Sequence, residues 1–443
     1  GRIEANQDAV IMPGGLATHI RTLQRHEQPS EEALAGERCA ANLQGLEVAD
    51  IHRGDVLARP GSLFPSDRWI VRLSCLKDSP ISVRSRTEIH FHHGTLESLA
   101  RVVLYDRNRL APGETALAEL RFETPVAGIF GDHCVLRAAS PLRCVAGGLL
   151  VSPLPPQIRA KDPKREAKLE LLAGLPGLAE QKNAAADADL TAGVIALRGA
   201  QGASLAVLRV LTGLAKKRLE KALQALSSQK KAVCFDRESQ AWVDGAEFSA
   251  LCSACLARAG EVHAKDPLRA GFARGVLETG WAKSLPPKLV SRVFETLLGE
   301  GRLAASGELL RLSGHSVVLD KRQQKLCDDI LAAHAAGGIT PPNYKDVLAD
   351  LGATEKEAAP ILKVLLADGD LVRVRDGLFY SAQAFEKVLA SVAAWFETHD
   401  DLTVTDMKQI FGLSRKYLIA LLEYLDQERY TVRIGDKRQF RSR

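Results

Sequence analysis

One stretch of the sequence occurs twice, and it decides the fold of the C-terminal half. Its two copies, 199 residues apart, are Leu211-Thr212-Gly213-Leu214-Ala215-Lys216-Lys217-Arg218-Leu219 and Ile410-Phe411-Gly412-Leu413-Ser414-Arg415-Lys416-Tyr417-Leu418. After the glycine of each copy, apolar residues follow the i, i+3, i+4, i+7 spacing of one helix face. Glycine lets the chain reverse between two helices because it adopts positive φ at no steric cost. The pattern therefore predicts a helix-turn-helix unit at both places.

A looser third copy, residues 350–354, lies between these two. Strand-like stretches with a glycine turn follow the last two copies, at residues 371–380 and 431–440. Three helices and such a hairpin make a winged helix. We expect a further module in which Pro286-Pro287 opens the third helix and residues 309–319 form the wing. The sequence predicts four tandem winged helices, against the alternative of a generic helical array, with the boundaries 156–245, 246–320, 321–383 and 384–443.

The first 155 residues show a different pattern, that of short strands. Runs such as 20–23, 70–73, 81–83 and 101–104 are bounded by glycine, proline, asparagine or aspartate. Their regular spacing favours barrels or sandwiches over βαβ units. The proline-rich stretch Ser152-Pro153-Leu154-Pro155-Pro156 ends this part. Residues 180–204, rich in alanine and glycine, predict a loop or a weakly specified segment.

Composition limits the class of protein. The 443 residues are too many for one compact core, and 46% hydrophobic with 26% charged residues excludes a mainly disordered chain. The longest apolar stretch, around residues 145–151, is far too short to span a membrane, and no signal peptide is visible. The eight cysteines lack a disulfide-framework spacing, which predicts a reducing, cytoplasmic location. The opening Gly1-Arg2-Ile3-Glu4 indicates a piece of a longer protein.

Basic charge is concentrated at the C terminus. Residues 429–443 contain six cations and one acid, which equals the net charge of +5 of the whole chain. The six cations are Arg429, Arg433, Lys437, Arg438, Arg441 and Arg443. Such a stripe is either a phosphate-binding surface or a solvated tail that binds nothing.

No motif predicts catalysis. The sequence contains neither G-x-x-x-x-G-K-[ST] nor a G-x-G-x-x-G after a strand. Cys252 and Cys255 have a zinc-like spacing, but a second pair is missing and both follow the apolar spacing of a helix, which favours core cysteines. His90, His92 and His93 do not share one face of a strand. We therefore predict no catalytic residue, no metal and no cofactor on this chain.

The last winged helix is the best candidate for binding nucleic acid. Ser414 is a favourable N-cap for a helix whose first turn displays Arg415, Lys416 and Tyr417. The wing adds three further cations, Arg433, Lys437 and Arg438. Cations beside an aromatic ring suit RNA loops, although Tyr417 is equally well explained as a core residue. The third copy has Glu355 and Glu357 at the same place and looks like a spacer, whereas the first copy is basic enough for a weaker second contact.

Several stretches resemble translational GTPases. Residues resembling their second domain are Gln28-Pro29, Ala35-Gly36-Glu37-Arg38-Cys39-Ala40-Ala41-Asn42-Leu43-Gln44-Gly45 and Arg53-Gly54-Asp55-Val56-Leu57-Ala58. Residues resembling their third domain are Ile89-His90-Phe91-His92-His93-Gly94-Thr95 and Asp132-His133-Cys134-Val135-Leu136-Arg137. Residues 412–417 and 421–426 resemble the extreme C terminus of one family, the bacterial selenocysteine-specific elongation factor.

This resemblance implies a multidomain β plus α fold. Two translation-factor β-barrels, 1–64 (N-terminally truncated) and 65–155, would precede the four winged helices. It also implies a function, in which the barrels bind selenocysteinyl-tRNA and the last winged helix binds a selenoprotein mRNA hairpin at an in-frame UGA on the ribosome. The family's GTPase domain, which would bind GTP and Mg²⁺, is expected to be missing here, together with the opening strand of the second domain.

The resemblance also implies site residues. Arg38 would be the cation near the selenocysteine side chain, unless it forms a surface ion pair, and the second barrel would touch tRNA through Arg101 or the stretch that contains His92. We expect a monomer that contacts no membrane. Two other functions stay open from the residues themselves, a winged-helix DNA-binding transcriptional regulator and a ribosome-associated scaffold. A regulator would discriminate duplex DNA sequences, and a hairpin binder would prefer looped RNA.

Overall fold

The computed structural model describes residues 1–138, 143–315 and 319–441. Arg443 and part of the wing predicted at 309–319 therefore lie outside the described residues. The chain divides into two compact units, Gly1–Ser253 with Ser284–Val293 and Ala254–Lys283 with Phe294–Arg443. The fold class predicted from the sequence, β-barrels followed by winged helices, is confirmed.

The first barrel domain is built from seven short strands. They are β1 (Arg2–Glu4), β2 (Gln7–Met12), β3 (Leu16–Arg25), β4 (Gln28–Ser30), β5 (Glu32–Leu34), β6 (Cys39–Leu43) and β7 (Val56–Ala58). Strands β4, β3, β2 and β7 form a sheet in that order, β6 joins it beside β3, and β1 pairs with β5. Ala9, Ile20 and Leu23 form its small buried core. Ile20 and Leu23 are three residues apart on β3, and both are buried because the pairing with β6 shifts register between Ile20 and Thr22.

The second barrel domain closes completely. Its strands are β8 (Ser66–Cys75), β9 (Val83–Arg84), β10 (Glu88–His93), β11 (Leu96–Leu104), β12 (Arg109–Leu110), β13 (Thr115–Val126), β14 (His133–Arg137) and β15 (Cys144–Ser152). Six of them close in the order β10-β11-β13-β8-β15-β14, while β9 pairs with β12. Trp69, Phe91 and Phe122 fill the interior with edge-to-face ring contacts, and centroids lie 4.8–5.6 Å apart.

The first winged helix follows directly. Its elements are α1 (Arg165–Gln181), α2 (Ala184–Arg198), α3 (Leu205–Thr212), α4 (Lys216–Ser228), β16 (Ala232–Asp236) and β17 (Ala241–Asp244). The prediction of a loop over 180–204 was wrong, since most of this segment is α2. Gly193 lies against Leu171 and Leu175 of α1, where a Cβ would come within 3.1 Å of both side chains. Small residues allow the two helices to pack closely. From composition alone, a helix rich in small residues cannot be distinguished from a flexible loop.

The second winged helix contains a three-stranded sheet. Its elements are α5 (Gly245–Lys265), β18 (Phe272–Ala273), α6 (Arg274–Glu278), α7 (Pro287–Gly299), β19 (Leu303–Ser306) and β20 (Leu309–Leu312). Pro287 opens the third helix as predicted. The wing begins earlier than expected, because β19 pairs with β20 across a turn at Gly307, whose φ is +58°. Cys252 and Cys255 are buried in α5, in agreement with the core interpretation.

The last two winged helices share a core. Their elements are α8 (Lys321–Gly337), α9 (Tyr344–Asp350), α10 (Glu355–Ala367), β21 (Leu371–Arg375), β22 (Leu378–Ser381), α11 (Ala382–Phe396), α12 (Val404–Phe411), α13 (Arg415–Gln427), β23 (Thr431–Ile434) and β24 (Lys437–Phe440). Tyr380 and Phe385 pack in one cluster with Leu418 and Leu421 of α13. Main-chain hydrogen bonds between Leu402 and Arg438 place a third extended segment beside the two strands of the last wing.

Candidate nucleic-acid interface

The exposed start of α13 is the centre of the candidate interface. Ser414 occupies the N-cap position with extended backbone, φ −69° and ψ 153°, but its side chain makes no capping hydrogen bond. No capping side chain therefore competes with an anion for the N–H groups of the first turn, although that of Tyr417 already donates to the Ser414 carbonyl at 3.0 Å. Arg415 and Lys416 are exposed there, and within the described part of the chain neither forms an ion pair. This turn presents two cations and a helix N-terminus to the same region of solvent.

Tyr417 lies differently from these two cations. Its ring packs against the cluster shared by the last two winged helices, and its hydroxyl donates to the carbonyl oxygen of Pro341 at 3.5 Å. The ring is only partly exposed. This placement favours the core interpretation, in which Tyr417 holds the start of α13 against the preceding module.

The three predicted wing cations have three different environments. Arg433 is exposed, and its Nε donates to the carbonyl of Gly435 at the turn, at 3.0 Å. Lys437 is exposed but donates to Asp401 at 2.7 Å, and this hydrogen bond raises the pKa of the Lys437 ammonium. Its charge is thus shared with an acid, whereas that of Arg433 is directed to solvent.

The environment of Arg438 disagrees with the RNA contact that the sequence predicts for it. Only 5% of the residue is exposed, and its Nε donates to Asp426 Oδ2 at 2.8 Å. The other oxygen of Asp426 accepts from the hydroxyl of Thr431 at 2.7 Å. Asp426 lies near the end of α13, so one carboxylate fastens both wing strands to this helix. From the sequence, a basic residue in a strand is expected to lie on the surface. Only the fold shows that Arg438 lies on the buried face of β24.

The predicted residues of the barrels lie on two different domains. Arg38 is exposed just before β6, and no ion pair of Arg38 occurs among the described residues; its neighbour Glu37 pairs with Arg25 instead, at 2.5 Å. The alternative of a surface ion pair for Arg38 is therefore not supported. His92 lies on β10, partly buried, and its Nε2 is buried without a hydrogen-bond partner in the described structure.

Arg101 belongs to a row of arginines that the sequence did not reveal. On adjacent strands, Arg101 of β11 is opposite Arg121 of β13, which is opposite Arg68 of β8. Like charges in this arrangement repel each other. Carboxylates offset part of the repulsion, Glu88 at 3.2 Å from Arg101 and Glu119 at 2.6 Å from Arg121. Strand register, which sequence spacing does not give, brings these side chains together on one face of the barrel.

Other kinds of site receive no support from the described residues. They contain no group of three or more histidine, cysteine, aspartate or glutamate side chains placed to hold a metal ion. None of the described helices is long and apolar enough to cross a membrane.

Comparison with known proteins decides the family. Two models described as "Elongation factor SelB, winged helix" match residues 394–440 and 256–312, and one described as "Selenocysteine-specific elongation factor, beta-barrel domain" matches residues 66–157. A selenocysteine-specific elongation factor of Desulfomicrobium baculatum is 38% identical over 443 residues, all of this chain and 68% of that protein. This chain belongs to the selenocysteine-specific elongation factor family.

More distant relatives agree with this family. The selenocysteine-specific elongation factor of Haemophilus influenzae is 22% identical over 98% of this chain and 67% of its own length. A crystal structure of the bacterial selenocysteine-specific elongation factor EF-Sec has the same fold, with a TM-score of 0.56 at 19% identity; the match covers 100% of this chain and 65% of that one. The chain thus spans about two thirds of the relatives it matches. The DNA-binding regulator receives no support from these similarities.

Proposed function

We propose that this chain couples a tRNA to an mRNA signal. In this proposal the last winged helix binds a selenoprotein mRNA hairpin, the barrels bind selenocysteinyl-tRNA, and both act on the ribosome at an in-frame UGA codon. The observation that carries the proposal is the exposed, unpaired first turn of α13 in a module that matches an elongation factor SelB winged helix.

The chemistry of this surface supports RNA as its ligand. Arg415 offers a planar guanidinium that binds phosphate through two hydrogen bonds, and Lys416 adds a mobile point charge. Arg433 on the wing supplies a third exposed cation of the same module. Phosphate contacts of this kind position the module, and a hairpin loop exposes base edges that a duplex hides. We assign Arg438 and Tyr417 to holding the helix and the wing in place. Lys437 would make a secondary RNA contact, for which a phosphate must compete with Asp401.

The barrels are proposed as the tRNA-binding part. Arg38 supports this assignment because a permanently charged, unpaired guanidinium suits the negative selenolate of selenocysteine. Arg101, with Arg121 beside it, presents two exposed guanidinium groups to a phosphate backbone. His92 is the least accessible of the proposed contacts, since one of its ring nitrogens is buried.

Both RNA molecules on one polypeptide would raise the effective concentration of the tRNA at the hairpin. GTP and Mg²⁺, which the resemblance implies for the family, stay predictions for the whole factor, as do a monomeric state and a cytoplasmic location.

A titration of RNA hairpins tests the proposal. The chain is titrated, by fluorescence anisotropy at two salt concentrations, into a selenoprotein mRNA hairpin from the same source and into its loop-scrambled form. We compare the unsubstituted chain with Arg415→Ala/Lys416→Ala and with Arg38→Ala. The double variant should bind the hairpin at least about 10-fold more weakly and lower the salt slope by about 2, because each lost phosphate contact releases about one counterion fewer.

Arg38→Ala serves as the control, since it removes one exposed cation from a barrel and none from the last winged helix. It should leave hairpin binding unchanged. Equal binding of the hairpin and its scrambled form, or an equal loss in both variants, would refute hairpin recognition by α13.

A further inference from the structure

The first winged helix repeats the helix-turn-helix geometry of the last. Helices α3 and α12 have 8 residues each, α4 and α13 have 13 each, and every boundary is shifted by the same 199 residues. Ser204 and Thr403 are equivalent N-caps whose side chains accept from the third residue of the helix. The turn glycines, Gly213 and Gly412, have φ of +67° and +65°. Relative to its own helix-turn-helix, each side chain of the first module therefore points in the same direction as its equivalent in the last module.

Three pairs of cations occupy such equivalent positions. Arg209 corresponds to Lys408, Lys216 to Arg415 and Lys217 to Lys416, and all six residues are exposed. Within the described residues, Arg209 and Lys217 form no ion pair, and Lys216 has only a long contact with Glu220, at 3.7 Å. Exposed pairs of this kind contribute little, so the three charges stay available to a ligand.

The basic surface is not a general property of these modules. In the third winged helix the position of Lys216 is held by Glu355, which pairs with Lys345, and Glu357 pairs with Arg322. That module thus keeps one cation, Lys356 at the position of Lys217, between two paired acids, whereas the first and the last modules have two cations side by side. The adjacent pair of cations at the start of the second helix is therefore common to the first and the last modules and is absent from the third.

One difference separates the first module from the last. The position of Tyr417 is occupied by Arg218, whose guanidinium donates twice to Asp187, at 2.8 and 2.6 Å. Asp187 is buried, and its bonds to Arg218 raise the pKa of that guanidinium. The guanidinium of Arg218 is thus engaged by Asp187 although its side chain is 46% exposed, and no aromatic ring occupies this position to stack on a base. Lysines contact phosphates as point charges, without the geometry that distinguishes bases.

The helices that carry this surface pack directly against the second barrel. The N–H of Phe130 donates to the carbonyl of Val210 at 2.9 Å, and a Cβ on Gly213 would lie 2.7 Å from the carbonyl oxygen of Phe130. The barrel and the helices share one apolar cluster. The three cations stay exposed with the barrel in place, so the barrel fixes the surface without covering it.

We propose that Arg209, Lys216 and Lys217 form a second RNA-binding surface, which binds the phosphate backbone of double-helical RNA without selecting its sequence. The choice of RNA over DNA rests on the proposed function. The inference that the ligand carries phosphates rests on the three exposed cations themselves. A protein recognises duplex RNA mainly through phosphates, 2′-hydroxyls and shape, which suits a surface of flexible cations without an aromatic reader.

The test uses the full chain and a loop-free RNA duplex of about 20 base pairs, long enough to span the ~16 base pairs that a double-stranded RNA-binding domain covers. Binding is measured by anisotropy between 50 and 300 mM salt, concentrations that bracket the range where phosphate contacts weaken steeply. The variant Arg209→Ala/Lys216→Ala/Lys217→Ala is compared with Lys325→Ala/Lys363→Ala/Lys387→Ala, which removes three exposed helical cations from other modules. The first variant should bind the duplex about 10-fold or more weakly and lower the salt slope by about 2–3, and the second should match the parent chain.

Equal losses in both variants would reduce the effect to net charge and overturn the proposal, as would unchanged binding in the first. A DNA duplex of the same sequence bound as tightly as the RNA would overturn the assignment to RNA. A duplex of scrambled sequence should bind equally well. Failure of hairpin recognition leaves this result standing, because the duplex has no loop, so the two proposals fail separately.

Discussion

Replacement of Arg438 by alanine separates a structural role from RNA contact. In the structure Arg438 is buried and fastens β24 to the end of α13 through Asp426. The sequence alone predicted an RNA contact instead. The two roles make opposite predictions for stability: loss of an anchor loosens the whole module, and loss of an exposed contact leaves the fold intact.

The magnitude follows from burial of the pair. Removal of one partner of a buried ion pair costs about 3–5 kcal/mol, because the other charge is left without compensation. The Asp426 side chain is 21% exposed and keeps its bond from Thr431, so water and the hydroxyl offset part of the loss. We expect Arg438→Ala to lower the free energy of opening of the last winged helix by about 2–3 kcal/mol, which is about 30- to 150-fold in the opening equilibrium.

Hydrogen–deuterium exchange followed by mass spectrometry measures this opening locally in the full chain. Peptides from residues 401–440 should exchange faster in Arg438→Ala, and peptides from the second barrel should not change. Arg433→Ala is the matched control, because this arginine lies on the neighbouring strand, directly opposite Arg438, but is exposed. Its effect on exchange should correspond to no more than about 0.5 kcal/mol.

Hairpin binding completes the comparison. Arg433→Ala should weaken binding with unchanged exchange, and Asp426→Asn should reproduce the faster exchange of Arg438→Ala although it removes no cation. If Arg438→Ala left exchange unchanged and weakened hairpin binding as much as Arg433→Ala, Arg438 would be a direct RNA contact and the structural argument would be wrong.

Two further predictions concern stability. Gly213→Ala and Gly412→Ala both place a side chain at positive φ, at a cost of about 1–2 kcal/mol, but only Gly213 faces a backbone atom, the Phe130 oxygen 2.7 Å from the new Cβ. Chemical denaturation should therefore show the larger loss for Gly213→Ala, and equal losses would contradict the close contact with the barrel. Burial lowers the pKa of His334 below its usual ~6.5, so this residue is neutral when folded and the third winged helix loses stability as the pH falls below that value. Limited proteolysis between pH 7.5 and 5.5 should show faster cleavage at low pH in the parent chain and a weaker pH dependence in His334→Phe; an identical dependence in both would assign the effect to other groups.

The repeat shows how far local sequence carries the fold. Glycine at the turn and an apolar face at helical spacing depend only on nearby residues, so the boundaries of α3, α4, α12 and α13 follow from them with the same shift of 199 residues. The alanine-rich helix α2 was not predicted, although alanine favours helices and Asn183 caps its start; its Gly193 packs against Leu171 and Leu175 of α1. Local composition gave no sign of that partner.

Some residues of the candidate site could also be predicted from local sequence, and others could not. The cations of the first turn of α13 could be predicted because a helix start and its exposed positions are local features of the sequence. Arg438 and Tyr417 could not, since burial depends on which residues of α13 and of the preceding module lie opposite them. The arginine row of the second barrel required strand register, which joins residues 53 positions apart, Arg68 and Arg121.

The sequence by itself determined the order of the domains, the repeated helix-turn-helix and the concentration of cations at the C terminus, because these depend on short-range spacing and composition. Only the tertiary structure decided which cations are available to a ligand. It paired Arg438 with Asp426 and Arg218 with Asp187, and it left Arg415, Lys416 and Lys217 exposed. The physical reason is that an ion pair forms between residues far apart in the chain, and its partner is chosen by packing.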